Sequence, residues 1–151
     1  MDAVTHDRNA YPFMTEIRVR LSETDAVGIV YFGSFSTYMD VGRMDYLNHL
    51  GLTRLDGPVR DLIPGAVVNA QLNFLSPARY NDILLLHVRV ARIGKTSYTF
   101  HFLIQDKRSP RVIATGQLTL AWLGQDFKPV PIPEEFRSAI EAFEGGSRSA
   151  P

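Results

Sequence analysis

The chain has 151 residues, 45% hydrophobic and 21% charged, with sixteen basic and sixteen acidic side chains. That is the length of one globular domain able to bury its own core, and it excludes a disordered chain, a collagen-like fibre and a mini-protein. Net neutrality leaves no overall field for phosphate backbones, so no nucleic-acid partner is expected, and the lack of cysteine excludes disulfides, thiolate catalysis and cysteine-ligated metals.

Residues 1–10 are polar and mixed and read as a flexible N-terminal arm with no apolar leader. The longest aliphatic run, Ile83 to Leu86, is far short of the ~20 apolar residues a membrane helix needs. A cytoplasmic protein with no membrane partner is therefore expected. Over 13–21, Phe13, Thr15, Ile17, Val19 and Leu21 alternate with Met14, Glu16, Arg18 and Arg20, the period of a strand with one core face. SETDAVGIVYFG (22–33) breaks that pattern and reads as a loop.

A helix is predicted over 34–50, with Ser34 as N-cap and Gly51 at the C′ position. Phe35, Met39, Gly42, Tyr46 and Leu50 form one stripe, widened by Tyr38 and Leu47. At this spacing Phe35, Tyr38 and Met39 are read as core in preference to an acyl pocket. After a Gly/Pro-punctuated loop (51–65) four strands follow. In 66–75, Ala66, Val68, Ala70, Leu72 and Phe74 share a face; 83–92, 96–105 and 112–122 alternate in the same way. Short turns make these strands antiparallel. Pro129, Pro131 and Pro133 end the sheet, and 134–143 reads as a short closing helix. EGGSRSAP (144–151) reads as a disordered tail, which leaves 11–143 as a single domain. A long helix and a sheet with one apolar face each bury best as a two-layer α+β domain, and open sheet edges call for a second copy.

The segment VRLSETDAVGIVYFGSFSTYMDVGRMDYL (19–47) resembles the signature of the hotdog-fold thioesterases, in particular the 4-hydroxybenzoyl-CoA thioesterase branch and short-chain acyl-CoA thioesterases. It has an Asp past the first strand, then a Gly, two aliphatics and an aromatic: Asp25, Gly28, Ile29, Val30 and Tyr31. LNFLSPARYNDIL (72–84) is similar to the family's strand, Pro-Ala-Arg-Tyr turn and Asp. The resemblance covers about 11–143. It implies a long central helix wrapped by a curved antiparallel five-stranded sheet, and a dimer or dimer of dimers with active sites at the interface. The implied reaction hydrolyses a short-chain or aromatic acyl-CoA to free acid and CoA, with no cofactor or metal.

Asp25 is the centre of that expectation. An unperturbed Asp has a pKa of ~3.9 and is ionised at neutral pH, so it can attack the thioester carbonyl or deprotonate water; a plain turn-capping role is the alternative. Attack creates an oxyanion that needs preorganised N–H donors, and a helix start offers them. The resemblance puts the donor seven residues after the Asp, at Phe32, with Gly33 beside it. A related bacterial cell-envelope branch usually carries His at that position, so the Phe points away from it. Phosphates of CoA call for basic and hydroxyl groups. The 91–97 turn offers Arg92, Lys95, Thr96 and Ser97, with Arg79 a second candidate; solvated turn charges are the alternative for each.

His6, His49, His87 and His101 have no HxxxH or HExxH spacing, so no zinc site is expected. No His lies near the start of the long helix, against a dehydratase, and no GxSxG motif supports a serine hydrolase. Two rivals remain: an acyl carrier protein in place of CoA, and a non-catalytic acyl-CoA-binding module of the same fold.

Overall fold

The structure, a computed structural model, describes residues 3–53 and 65–148. In chain order it contains β1 (Phe13–Arg18), α1 (Ser34–His49), β2 (Ala66–Phe74), β3 (Ile83–Ile93), β4 (Ser97–Asp106), β5 (Val112–Ala121) and α2 (Glu134–Arg148). Single turns of 3-10 helix form at Arg8–Ala10 and Leu21–Glu23. The strands make one antiparallel sheet in the order β1-β3-β4-β5-β2. It curves around α1, which is the hotdog fold. Among the described residues no helix is long and apolar enough to cross a membrane.

The predicted stripe on α1 faces the sheet. Phe35, Tyr38, Met39, Gly42, Tyr46 and Leu47 are buried, and they divide into two clusters along the helix. Near its start, Phe35 and Tyr38 pack with Val19, Val30, Leu84, Leu86 and Ile104. Further along, Met39, Tyr46 and Leu47 pack with Val90, Tyr98, Phe100, Phe102 and Leu120. The helix crosses the sheet closely at Gly42, where a Cβ would stand 3.2 Å from Val88 and 3.3 Å from Phe102. Gly51 has φ +69° and ends the helix as expected.

Four expectations are corrected. β1 stops at Arg18, and Leu21 is exposed in the following turn. The N-cap is Gly33, not Ser34, because the Ser34 hydroxyl is already donated to the Glu23 carbonyl at 3.0 Å. The apolar face predicted for β2 is not buried: only Leu72 is half-covered, while Val68 and Phe74 are 60% and 52% exposed. β2 is an edge strand with β5 as its only neighbour among the described residues, and a bulge between Val67 and Asn69 interrupts its alternation.

The fourth correction concerns the C-terminus. α2 does not end at 143 but continues to Arg148, and Glu144 is buried. β3 bulges between Val90 and Arg92. The Glu144 carboxylate accepts from the Val90 N–H at 2.6 Å and from the Tyr46 hydroxyl at 2.7 Å. Met1 and Asp2, most of the 51–65 loop and 149–151 lie outside the described residues.

The N-terminal segment lies over the sheet face opposite α1. The Tyr11 ring sits 6.1 Å from the His87 ring, with the Arg89 guanidinium 5.6 Å above Tyr11. Its hydroxyl donates to the Thr5 carbonyl at 2.7 Å. Burial pushes the Tyr11 hydroxyl up to about 12 and pulls the His87 imidazole, which bonds Gln105 at 3.0 Å, below its usual value.

Candidate active site

Asp25 opens a tight hairpin that leads into α1. Its N–H donates to the Ile29 carbonyl at 2.9 Å and its carbonyl accepts from the Gly28 N–H at 3.0 Å. Gly28 has φ +90°, a conformation that favours glycine. One carboxylate oxygen, Oδ1, accepts from the Val27 N–H at 2.9 Å. Oδ2 has no partner among the described residues, and the residue is exposed. Asp25 thus caps its own turn with one oxygen and leaves the other available.

The hairpin is anchored from below. Val30 N–H donates to the Ala78 carbonyl at 2.8 Å, and Tyr31 N–H to the Glu23 carbonyl at 2.9 Å. Glu23 is buried, and its carboxylate receives Arg20 Nε at 3.0 Å, Arg20 Nη2 at 2.7 Å and the Tyr38 hydroxyl at 3.0 Å. Burial alone would raise the Glu23 carboxyl; the hydrogen bonds from Arg20 and Tyr38 outweigh it and hold the group below the usual value. Burial and the bond to Glu23 push the Tyr38 hydroxyl up.

At the head of α1, the N–H groups of Ser34, Phe35 and Ser36 are occupied by the carbonyls of Tyr31, Phe32 and Gly33. The N–H groups of Phe32 and Gly33 donate to none of the described residues. The Phe32 side chain is 65% exposed and packs edge-on against Tyr31 at 4.6 Å. The Tyr31 ring lies back over Gly33, where a Cβ would come within 3.0 Å of it. A glycine there keeps the ring on the backbone. Phe35, Tyr38 and Met39 are core, at 4%, 0% and 0% exposure, in keeping with their spacing.

The remaining candidates separate into two groups. Arg79 sits in the turn between β2 and β3, beside Ala78, at the same end of the sheet as Asp25 and Phe32. Arg92, Lys95, Thr96 and Ser97 sit around the β3–β4 turn, at the other end. The length of β3 separates the two groups by roughly 30 Å at about 3.3 Å per residue. One protomer therefore does not bring its own 92–97 turn to its own Asp25. An open cavity of about 450 Å³, lined by His6, Gln71, Asn73, Thr115 and Gln117 among others, includes none of the predicted site residues. Among the described residues no cluster of three His, Asp or Glu side chains is arranged to hold a metal ion.

Glu23 lies outside the residues that the sequence pattern singles out. Its separation from Arg20, i to i+3, is a recognisable pairing distance, but nothing in the sequence marks it as buried.

The thioesterase superfamily pattern matches residues 27–113. The chain is 28% identical over 130 residues to a chloroplastic acyl-acyl carrier protein thioesterase of Arabidopsis thaliana, covering 85% of this chain and 67% of the other. It is 25% identical over 131 residues to 1,4-dihydroxy-2-naphthoyl-CoA hydrolase of Synechocystis sp., covering 85% and 94%. A thioesterase of Thermus thermophilus, solved in complex with coenzyme A and Zn, superposes with a TM-score of 0.78 at 25% identity, covering 90% of this chain and 97% of that one. The fold and these similarities define a hotdog thioester hydrolase. The chain belongs to the thioesterase superfamily.

Proposed function

We propose that the chain is an acyl-CoA thioesterase whose catalytic centre is assembled between two copies of itself. The observation that carries this reading is the placement, at one end of the sheet, of an exposed Asp25 carboxylate and of the Phe32 and Gly33 N–H groups, which have no partner among the described residues.

In this reading Asp25 either attacks the thioester carbonyl carbon or takes a proton from a water that attacks it. The carbonyl oxygen becomes the oxyanion and is held by the Phe32 and Gly33 N–H groups at the positive end of α1. The carbon–sulfur bond then breaks and coenzyme A leaves as its thiolate, which takes up a proton. Where water attacked, the free acid is already formed; where Asp25 attacked, water hydrolyses the acyl–Asp25 anhydride and restores the carboxylate. The exposed rings of Phe32 and Phe74 offer apolar surface beside this point. They suit a short-chain or aromatic acyl group, and the Synechocystis relative is named for an aromatic acyl-CoA.

The β3–β4 turn supplies the phosphate contacts. The N–H groups of Lys95, Thr96 and Ser97 donate to none of the described residues. Successive free N–H groups form an anion-binding concavity, flanked here by the Lys95 and Arg92 cations and the Thr96 and Ser97 hydroxyls. Arg79 is a second cation, nearer Asp25.

Two copies resolve the separation of roughly 30 Å along β3. Across the sheet, Ala66 aligns with Ala121 and Ser97, and Phe74 with Ala114 and Ile104. Among the described residues β2 has an open edge, and it carries Val67, Val68 and Phe74, with Leu75 just beyond its end, all more than two-fifths exposed. Antiparallel pairing of β2 with its own copy about a two-fold axis sets the Phe74 end beside the partner copy's Ala66 end. That brings each Asp25 and Phe32 toward the partner copy's 92–97 turn.

Subunit complementation tests the arrangement. Asp25→Asn and a doubly substituted Arg92→Ala/Lys95→Ala chain are each expected to be nearly inactive toward acyl-CoA at low substrate. Unfolded and refolded together, they should regain about a quarter of wild-type thiol release, since half the dimers carry one intact site. No recovery, with both variants folded and dimeric, would overturn the shared site. Running the same assay on acyl carrier protein thioesters separates the second reading, which the Arabidopsis relative's name brings in.

A further inference from the structure

We propose that Arg137 of α2 is a positioning residue for the β3–β4 turn, holding its backbone N–H groups open for the phosphates of the substrate. This rests on reading that turn as the coenzyme A contact.

The loop beyond the last paired residues, Ile93 and Tyr98, runs from Gly94 to Ser97, with Lys95 and Thr96 at its tip. In a closed hairpin, Gly94 and Ser97 would exchange both hydrogen bonds. Only one is made: Gly94 N–H donates to the Ser97 carbonyl at 2.7 Å. The Gly94 carbonyl is taken instead by Arg137 Nη2 at 2.5 Å. The next two carbonyls face the same way. Lys95 O accepts from the Ile132 N–H at 2.9 Å, and Thr96 O from the Trp122 N–H at 2.7 Å. The Trp122 carbonyl, which would otherwise receive the Thr96 N–H, is occupied by the Val130 N–H at 2.9 Å.

All three carbonyls of Gly94 to Thr96 are therefore drawn to the C-terminal segment, and the N–H groups of Lys95, Thr96 and Ser97 are left without partners among the described residues. Of the donors responsible, Arg137 alone is a side chain, so it alone can be removed by substitution. It is well placed for the task. Neighbouring Phe136 packs against Tyr98 at 5.1 Å and Trp122 at 4.9 Å, and Arg137 Nη1 is steadied by Glu141 at 3.7 Å. Without the guanidinium, the Gly94 carbonyl is free to accept the Ser97 N–H, closing the turn and withdrawing a donor from the phosphate side.

The test compares two thioesters of one acyl group, on coenzyme A and on N-acetylcysteamine, which lacks the phosphates and nucleotide. Arg137→Met should raise KM for the coenzyme A ester about ten-fold, the scale of one charge-assisted hydrogen bond, with kcat within about two-fold. The N-acetylcysteamine ester should be unaffected, and Arg137→Lys should recover part of the loss. Combined with Lys95→Ala, the increase should fall short of the product of the two single effects, because both act through one turn. A full product means that Arg137 touches the phosphate itself and overturns the positioning role. So does an unchanged KM, or an equal rise for both esters. Should the wild type show no preference for coenzyme A over N-acetylcysteamine, the reading of the turn fails, not the role of Arg137 alone.

Discussion

The Tyr38 hydroxyl donates a 3.0 Å hydrogen bond to the Glu23 carboxylate, which ties the first half of α1 to the segment that leads into Asp25. The same carboxylate holds Arg20, and the Glu23 main chain holds Tyr31 and Ser34. The relative placement of the Asp25 hairpin and the helix start thus depends on one buried acid. Its carboxyl lies below the ordinary value of 4.5, so the unfolded chain binds the proton more readily than the folded one. That contribution to stability is present above about pH 4.5 and is lost as pH falls through the lower folded value. Glu23→Gln should melt below wild type at pH 7, and the gap should narrow by about pH 3.5 in thermal melts. A gap independent of pH would refute this account of Glu23.

Asp25→Asn separates charge from turn geometry. The amide oxygen still accepts from the Val27 N–H, so the hairpin is kept while the carboxylate is lost. Turnover of acyl-CoA is expected to fall by about two orders of magnitude or more, with melting temperature and oligomeric state unchanged. Near-wild-type thiol release would remove Asp25 from the mechanism.

Gly28 has open space around its α-carbon but a positive φ. Gly28→Ala should therefore cost about 1 kcal/mol through backbone strain, not collision. Gly28→Asn, which tolerates this region better, should recover part of both stability and activity. Chemical denaturation of the two variants alongside wild type checks the order.

Gly116 on β5 marks a second close approach between the sheet and α1. A Cβ there would collide with the Met39 sulfur and meet Leu72 at 3.4 Å. Gly116→Ala should destabilise by about 1–3 kcal/mol through overpacking. Met39→Ala in the same chain should make the second substitution less costly than it is alone, a non-additivity that a double-mutant cycle reads directly.

Much of this arrangement is legible in the amino-acid order. The stripe from Phe35 to Tyr46 locates α1 and its buried face, and Gly51 marks its end, because helical periodicity and a left-handed C′ residue are local properties. β2 shows where local reasoning stops. Its alternation from Ala66 to Phe74 reads as a core face, yet alternation reports only that apolar groups share a side. It does not report whether their cover belongs to the same chain, and the bulge at Val67–Asn69 leaves no trace in composition. The C-terminal end fails for a similar reason. Gly145 and Gly146 look like a break, but Glu144 is held by Val90 and Tyr46, and its partners at the β3 bulge are distant in sequence. The candidate site divides in the same way. Asp25, Phe32 and Gly33 form a contiguous motif, whereas the carbonyl-gripping role of Arg137 depends on folding α2 back over the turn at Gly94.

The distance along β3 between the Phe32 amide and the Lys95 turn has a consequence for assays. If the proposed shared site holds, each chain contributes one half to each of two different reaction centres, and an isolated chain owns no complete one. Specific activity should then decline on dilution as copies part, with a midpoint that reports the strength of their association. Val68→Lys, on the open strand, should move that midpoint to higher protein concentration without touching any reacting group.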